Sequence, residues 1–443
     1  MAAPRTAGKN ALAFVLITVL INAIGFGIII PVLPDLVGEL TGAKENLIGL
    51  HMAGLTFIWA LLQFIFMPII GALSDKYGRR PIMLLSLFGL GIDYFLMAFA
   101  PAIAILYVGR AVSGAFGATF STANAYIADV TPPERRAQNF GLVGAAFGAG
   151  FVLGPAIGGI LGDPTGILGD LAGPRVPFFA AGVLSIINVI FGYIVLPETL
   201  AQKDRRDFSW ARANALGALK SLKKIRGAQG LIFVLFLLAT AHTVYPTTYT
   251  ISMQTKLDWT SGDVGWSLFA FGIAQIIVQG LLIRWIIPKT GLFWAAIIGI
   301  ITAAIGYAMM GGAWAGWVVY AAGPFAAMAG LYGPAINNMI SSRLSKSEQG
   351  ELQGAIGAAQ GLAMMVGPIL MGVSFFYFAQ RGSGHYHPGA PFSVAVLLVI
   401  MAFIALILVT TQADRRAKAP KAEPGVDPAA MPQPPTSDID PAT

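Results

Sequence analysis

Cysteine is absent from the 443 residues, so neither a disulfide framework nor a thiolate metal site is open to this chain. Histidine is scarce as well. The four histidines, at 51, 242, 385 and 387, are scattered, and neither a metal nor another cofactor is expected. Charge is the third shortage: Asp, Glu, Lys and Arg make up 11% of the residues, against about 25% in soluble domains. With 56% hydrophobic residues and a mean hydropathy of +0.72, the chain needs lipid as its solvent. A phosphate-binding P-loop, paired catalytic carboxylates and a nucleophile beside a base are also missing. Neither ATP hydrolysis nor enzyme chemistry is therefore expected.

What is present is a series of apolar runs. One crossing takes about twenty residues, and twelve such runs lie near 11–35, 47–72, 81–100, 102–129, 138–162, 176–197, 229–251, 262–288, 291–312, 314–341, 351–380 and 391–411. The first is longer than a signal-peptide core and has no small-residue cleavage pattern after it, so it reads as a retained span. Placing both termini in the cytoplasm puts nearly all of the 28 Lys and Arg on that side. Lys44, Arg175, Lys256 and Arg381 fall opposite, and Arg110 lies within a span. The net charge of +7 thus reports topology and not nucleic acid. The expected organisation is a cytoplasmic N-terminus (1–10), a six-helix bundle (11–197), a cytoplasmic linker (198–230), a second bundle (231–411) and a disordered tail (412–443) rich in Pro and Ala. In the linker, Phe208, Leu216, Leu219 and Leu222 alternate with Arg and Lys. That pattern fits a helix lying on the inner membrane surface or a plain charged connection.

The two halves repeat. A shift of 213 residues, with no gaps, sets Gly78 on Gly291, Tyr94 on Tyr307, Asn124 on Asn337, Gly154 and Pro155 on Gly367 and Pro368, and Gly159 on Gly372. Two repeats in parallel orientation can hold a site between them near the midplane and open it to either side by rocking.

Three motifs follow the same frame. GALSDKYGRRP, after span 2, holds Gly71, Asp75, Gly78, Arg79 and Arg80; YVGRAVSGAFGA holds Arg110; GAGFVLGPAIGG holds Gly150, Gly154, Pro155, Gly158 and Gly159. The chain here resembles the major facilitator superfamily, and over about 11–410 it is nearest to the tetracycline/proton antiporter group. NAIGFGIIIPVLP, GIDYFLMAFAP, YIADVTPPERRAQNFG and EQGELQG add to the likeness. The resemblance implies an all-α membrane protein of twelve helices in two pseudo-symmetric bundles. It further implies a monomer in the inner membrane that exports amphipathic drug-like molecules in exchange for protons by alternating access. Its expected partners are membrane lipid, protons and a small-molecule substrate, with no nucleic acid. It also implies that Asp75, Arg79 and Asp129 form a cytoplasmic latch that holds the outward-facing state, and that the glycine run of span 5 is an antiporter motif. From the residues alone, Lys76, Arg79 and Arg80 could equally serve loop stability and topology, and the glycine run could serve packing. Three titratable positions of the group are neutral here: Asn22, Gln275 and Ala303. That departure admits an alternative, an uncoupled or proton-symport facilitator of a small metabolite.

Asp93 is the one carboxylate placed inside a span, and intramembrane acids are costly and usually functional. It is expected to carry a proton, unless it snorkels to water at the outer end of span 3. Arg110 is expected to face the cavity or pair with a carboxylate, and His242 is a second proton carrier or a buried neutral histidine. The polar side chains expected along the substrate cavity are Asn22, Gln63, Asn124, Gln275, Gln279, Asn337, Asn338 and Gln360, with Asn124 and Asn337 opposed across it. Interhelical hydrogen bonding accounts for such residues equally well.

Overall fold

The computed structural model describes residues 9–117, 119–210, 213–214, 217, 228–342, 344 and 348–418. Backbone amides in hydrocarbon must be paired within their own segment, and the regular elements among the described residues are all helices, without a strand. The first span is broken. Helix α1 (Lys9–Ile28) and α2 (Leu33–Thr41) meet at 45°, because Pro31 donates no amide and pushes Ile30 away from helical geometry, while Pro34 restarts the helix. Next come α3 (Glu45–Tyr77) and α4 (Arg79–Ala98), separated by Gly78 at φ 108°. The N-terminal half is completed by α5 (Ile103–Phe116), α6 (Thr119–Val130), α7 (Arg136–Gly162) and α8 (Val176–Val195).

The second half opens with α9 (Gln229–His242), a π-helical turn (Tyr245–Tyr249) and α10 (Thr250–Leu257). Helix α11 (Ser261–Ile277), a second π-helical turn (Val278–Leu282) and α12 (Ile283–Gly312) form one 52-residue run, interrupted at Gly291 with φ 78°. Gly291 is the repeat mate of Gly78, so both halves make this sharp reversal on a residue without a Cβ. The remaining elements are α13 (Gly316–Met328), a 3-10 turn (Ala329–Leu331), α14 (Tyr332–Ser341), α15 (Gln349–Phe378) and α16 (Ala390–Lys418).

Among the described residues nine helices are long and apolar enough to cross a membrane, or ten with the bent first pair. The twelve runs read from the sequence differ from that number in two places. The 52-residue run covers two of them, since one crossing needs about twenty residues. The tenth is split by the 3-10 turn between α13 and α14.

The buried apolar side chains form separate cores in the two halves. One is built from Ala228 through Leu406, around Tyr245, Tyr307 and Phe392. The others are built from the first half, around Leu55, Tyr94 and Phe178 and around Phe14, Met83 and Tyr126. Ile251, Phe375 and Ala379 cross over to join the first half's core. Large apolar side chains such as Phe88, Ile190, Leu397 and Ile404 point outward, as a lipid-facing surface requires.

Some boundaries move. Helix α16 runs on to Lys418 instead of stopping at 411. Phe208 lies on non-helical chain, edge-on to Trp210 at 5.0 Å between ring centroids, while Leu216, Leu219 and Leu222 fall outside the described residues. So do residues 1–8 and the tail from 419.

Candidate substrate and proton site

The halves touch at one end and part at the other. At Gly159 of α7 an added methyl group would lie 2.8 Å from the Ser261 carbonyl and 3.1 Å from the Gly265 Cα of α11. Its repeat mate Gly372 of α15 lies in the same way against Gly49 and Ala53 of α3. Polar contacts cross at that end too. Thr260 Oγ1 donates to Asp163 Oδ2 at 2.6 Å, Gln254 Nε2 to Asp35 Oδ1 at 2.7 Å and Thr250 Oγ1 to the Ile30 carbonyl at 3.0 Å, and Arg381 pairs with Glu45 at 3.1 Å. Further along α7 and α15, toward the end that carries the basic connections, Gly141, Gly144, Gly354 and Gly357 have nothing within 4 Å of an added methyl. The helices therefore diverge toward this basic end.

His242 lies in the last turn of α9 and has solvent-exposed surface. Its ring lies 5.2 Å from that of Tyr245, which stacks on Phe271 at 5.3 Å and approaches Tyr307 at 5.7 Å. The π-helical turn directly after it is a distortion often found at functional sites.

Asp93 and Arg110 lie inside the first half, between α4 and α5. Asp93 is 0% exposed and Arg110 5%, which overturns the reading of Asp93 as a residue reaching for water. Ser113 is close to the carboxylate, but no hydrogen bond of acceptable geometry reaches either oxygen. The Arg110 guanidinium sits 5.4 Å from the centre of the Trp59 ring with Nε unpaired. The two charges attract each other without closing into an ion pair. Phe26 lies 5.4 Å from Trp59 and 6.1 Å from Phe151, so aromatic rings on α1, α3 and α7 lead up to this charge.

The amide side chains divide by half. Asn22, Gln63 and Asn124 are half-buried. Gln275 and Gln279 bring their Nε2 atoms to 3.7 Å from the position of a methyl on Gly330, at the break in span 10. Gln275 Oε1 and Asn337 Oδ1 are buried and unpaired, whereas Asn338 donates to the Pro334 carbonyl at 3.1 Å and Gln360 is exposed. Asn124 and Asn337, expected to oppose one another, make no recorded contact.

The motif after span 2 forms a closed cluster. Arg79 pairs with Asp75 at 2.6 Å and with Asp129 at 3.1 Å, and it donates to Ser74 at 3.1 Å. Glu198 accepts from the backbone amides of Arg79 and Arg80 at 2.9 and 3.2 Å, capping α4, while Arg80 donates to the Tyr193 carbonyl at 2.6 Å. Gly71 meets nothing within 4 Å. These partners all belong to the first half or the start of the linker. Asp75, Arg79 and Asp129, the residues expected to form the latch, thus come together as a clasp within the first half.

The span 5 glycines serve two surfaces. Gly150, Gly154 and Gly158, four residues apart, press on the backbone of α1: an added methyl would lie 2.5 Å from the Leu20 carbonyl at Gly150 and 2.7 Å from the Gly27 Cα at Gly154. The Pro155 ring also lies against Gly27. Gly159 and the Pro155 carbonyl face the other half, both against Gly265, so three of the five are packing inside one bundle. The sequence reading missed Asp35, Asp163 and Glu198. Asp35 lies in the first turn of α2 and the other two just past a helix end, where neither hydropathy nor the repeat marks them.

A sequence profile of the Major Facilitator Superfamily matches residues 15–368 and again 231–437. The chain belongs to that superfamily. It is 34% identical to the class C tetracycline resistance protein of Escherichia coli over 376 residues, 85% of this chain and 92% of the relative. It is likewise 34% identical to the class G protein of Vibrio anguillarum over 375 residues, 85% and 92% of the two chains. Among solved structures, a bacterial homologue of the human lysosomal transporter Spinster in an inward-facing, unoccupied conformation superposes with a TM-score of 0.71 at 15% identity. That match covers 93% of this chain and 99% of the other. This superfamily member is accordingly a membrane transporter and not an enzyme.

Proposed function

We propose that this transporter exports amphipathic, tetracycline-like molecules from the cytoplasm in exchange for protons, by alternating access. The basic end is cytoplasmic and both termini lie there, in agreement with the positive-inside rule. The observation that carries the reading is the pairing of two seams, closed through the repeat mates Gly159 and Gly372, with open space at Gly141, Gly144, Gly354 and Gly357 farther along the same helices. The arrangement is that of an inward-open state. Asp93 is the proton carrier. A buried carboxylate without a partner is costly as a charge, and taking up a proton removes that cost. Arg110, one turn of α5 away from Ser113, supplies the fixed charge that expels the proton again when the surroundings change. His242 and the unpaired amides of Gln275 and Asn337 meet the polar groups of the substrate, and Phe26, Trp59 and Phe151 its apolar face. Asn22, Gln63, Asn124, Gln279, Asn338 and Gln360 complete the polar lining. One charge moving through 100 mV yields about 2.3 kcal/mol, which supports roughly a fifty-fold gradient of a neutral substrate.

The test is transport in proteoliposomes under an imposed pH gradient. The parent should accumulate tetracycline or a related amphipath only with the gradient, and Asp93→Asn should abolish that dependence. The neutral residues Asn22, Gln275 and Ala303 favour a second reading, a facilitator of a small metabolite. Uptake that ignores the gradient and survives Asp93→Asn would establish it instead.

A further inference from the structure

We infer that Asp163 is the positioning residue that keeps the end opposite the basic one shut, by clasping the N-terminus of α11 across the seam between the halves. The clasp takes its place in the cycle from the alternating-access reading, but its geometry stands apart from proton coupling. Asp163 directly follows α7, in the first half. Its Oδ1 accepts from the backbone amide of Thr165 at 2.9 Å and from Thr165 Oγ1 at 2.7 Å, which fixes the plane of the carboxylate. Its Oδ2 accepts from Thr260 Oγ1 at 2.6 Å.

Thr260 is the N-cap of α11, in the second half. Its hydroxyl has a single proton. Asp163 is the nearer acceptor, with Asp263 Oδ2 at 3.2 Å, so the proton goes across the seam while the hydroxyl oxygen accepts from the Asp263 amide at 3.2 Å. The Gly262 amide is near enough to favour the charged form of Asp163, and the carboxylate lies so close to Gly262 that a side chain there would collide with it. A full negative charge is thereby held on the first turn of α11, where orphan amides and the helix dipole favour it. These bonds join the two halves and exist only while this end is closed.

At the second seam Arg381 and Glu45 form an ion pair with side chains 62% and 37% exposed, a kind that contributes little. Beside it Gln254 Nε2 donates to Asp35 Oδ1 at 2.7 Å. Closure at this end therefore rests on two carboxylates of the first half, Asp163 at the N-terminus of α11 and Asp35 at Gln254 of α10, and on packing along α15 and α3.

The absence of native cysteine makes single-cysteine reporters clean. Ile251→Cys places a thiol at the floor of the vestibule of about 440 Å³ on the closed end, at a position now 4% exposed. Gly357→Cys places one in open space toward the basic end. Labelling rates with a membrane-impermeant maleimide, in full-length protein and in vesicles of each orientation, report the two openings. Asp163→Asn should raise labelling at 251 and lower it at 357, each by about tenfold, the equivalent of one charge-assisted hydrogen bond. Thr260→Ala should do the same and Thr260→Ser should restore the parent rates. If Asp163→Asn does not fold, Gly262→Ala, which drives a methyl group onto the carboxylate, should give the same shift. Rates within about twofold of the parent for the folded variants would overturn the clasp. Labelling needs neither substrate nor a gradient, so loss of proton coupling with the shift intact would sink the antiport reading and leave the clasp standing.

Discussion

Gly159 and Gly372 occupy the same position of the two repeats, and each sets a helix of its own half directly on the other half. At Gly159 backbone meets backbone and at Gly372 only the Ala53 methyl intervenes, so both contacts depend on dispersion at very short range. Rocking of one half against the other has these two points as natural pivots.

The first prediction compares glycines on the two faces of α7. Gly159→Val should wedge the seam, a strain of about 1–3 kcal/mol, and shift Ile251→Cys labelling while leaving the thermal midpoint of the protein close to that of the parent. Gly154→Val presses instead on Gly27 inside the first half. It should lower the midpoint and the yield without selectively opening the far end.

The second prediction concerns the buried charges. A methyl group at Gly109 would lie 2.7 Å from Asp93 Oδ1, so Gly109→Ala should displace the carboxylate and cut gradient-driven transport at least about tenfold. Arg110→Lys keeps the charge but loses the planar group that faces Trp59. It should weaken transport more than it weakens folding, as measured by initial rates and thermal melts on the same preparation.

A third prediction follows from the pH behaviour of Asp163. Burial alone would raise its pKa, but the hydrogen bonds from Thr260, from the Thr165 side chain and backbone and from the Gly262 amide outweigh burial and hold it below the usual carboxylate range. A depressed value means that the clasp contributes fully above the ordinary pKa of about 4 and is lost only as pH falls through the lowered one. Asp35 and Asp263 face the same carboxylate, so the measurement belongs in an Asp35→Asn background. Labelling at Ile251→Cys, divided by that of a small free thiol at the same pH so that the loss of thiolate cancels, should stay flat from about pH 7 to about pH 5. A rise within that interval would contradict the assignment.

Glu198 supports the fourth prediction. It accepts from two first-turn amides of α4, and caps of this kind contribute about 1 kcal/mol. Glu198→Ala should lower the thermal midpoint, whereas the proton dependence of transport should remain, because the residue lies in the clasp at the basic end and touches neither Asp93 nor Arg110.

Much of this protein is written in its sequence. Composition alone fixes the solvent, since 11% charge and long apolar runs leave helices in lipid as the stable form. The 213-residue repeat specifies two equivalent halves, down to the paired reversals at Gly78 and Gly291, because a glycine that must adopt positive φ is legible in any register. Asp93 and Arg110 stand out because charge within an apolar run is rare. Tertiary structure decided the rest. It showed which of the span 5 glycines meets the other half, that Asp93 and Arg110 are buried within one half, and that Asp163 reaches Thr260. Each of these depends on which helix lies opposite and at what depth. A repeat of small or polar residues along one helix carries no record of its neighbour, and contacts between residues 97 positions apart form only when two whole bundles come together.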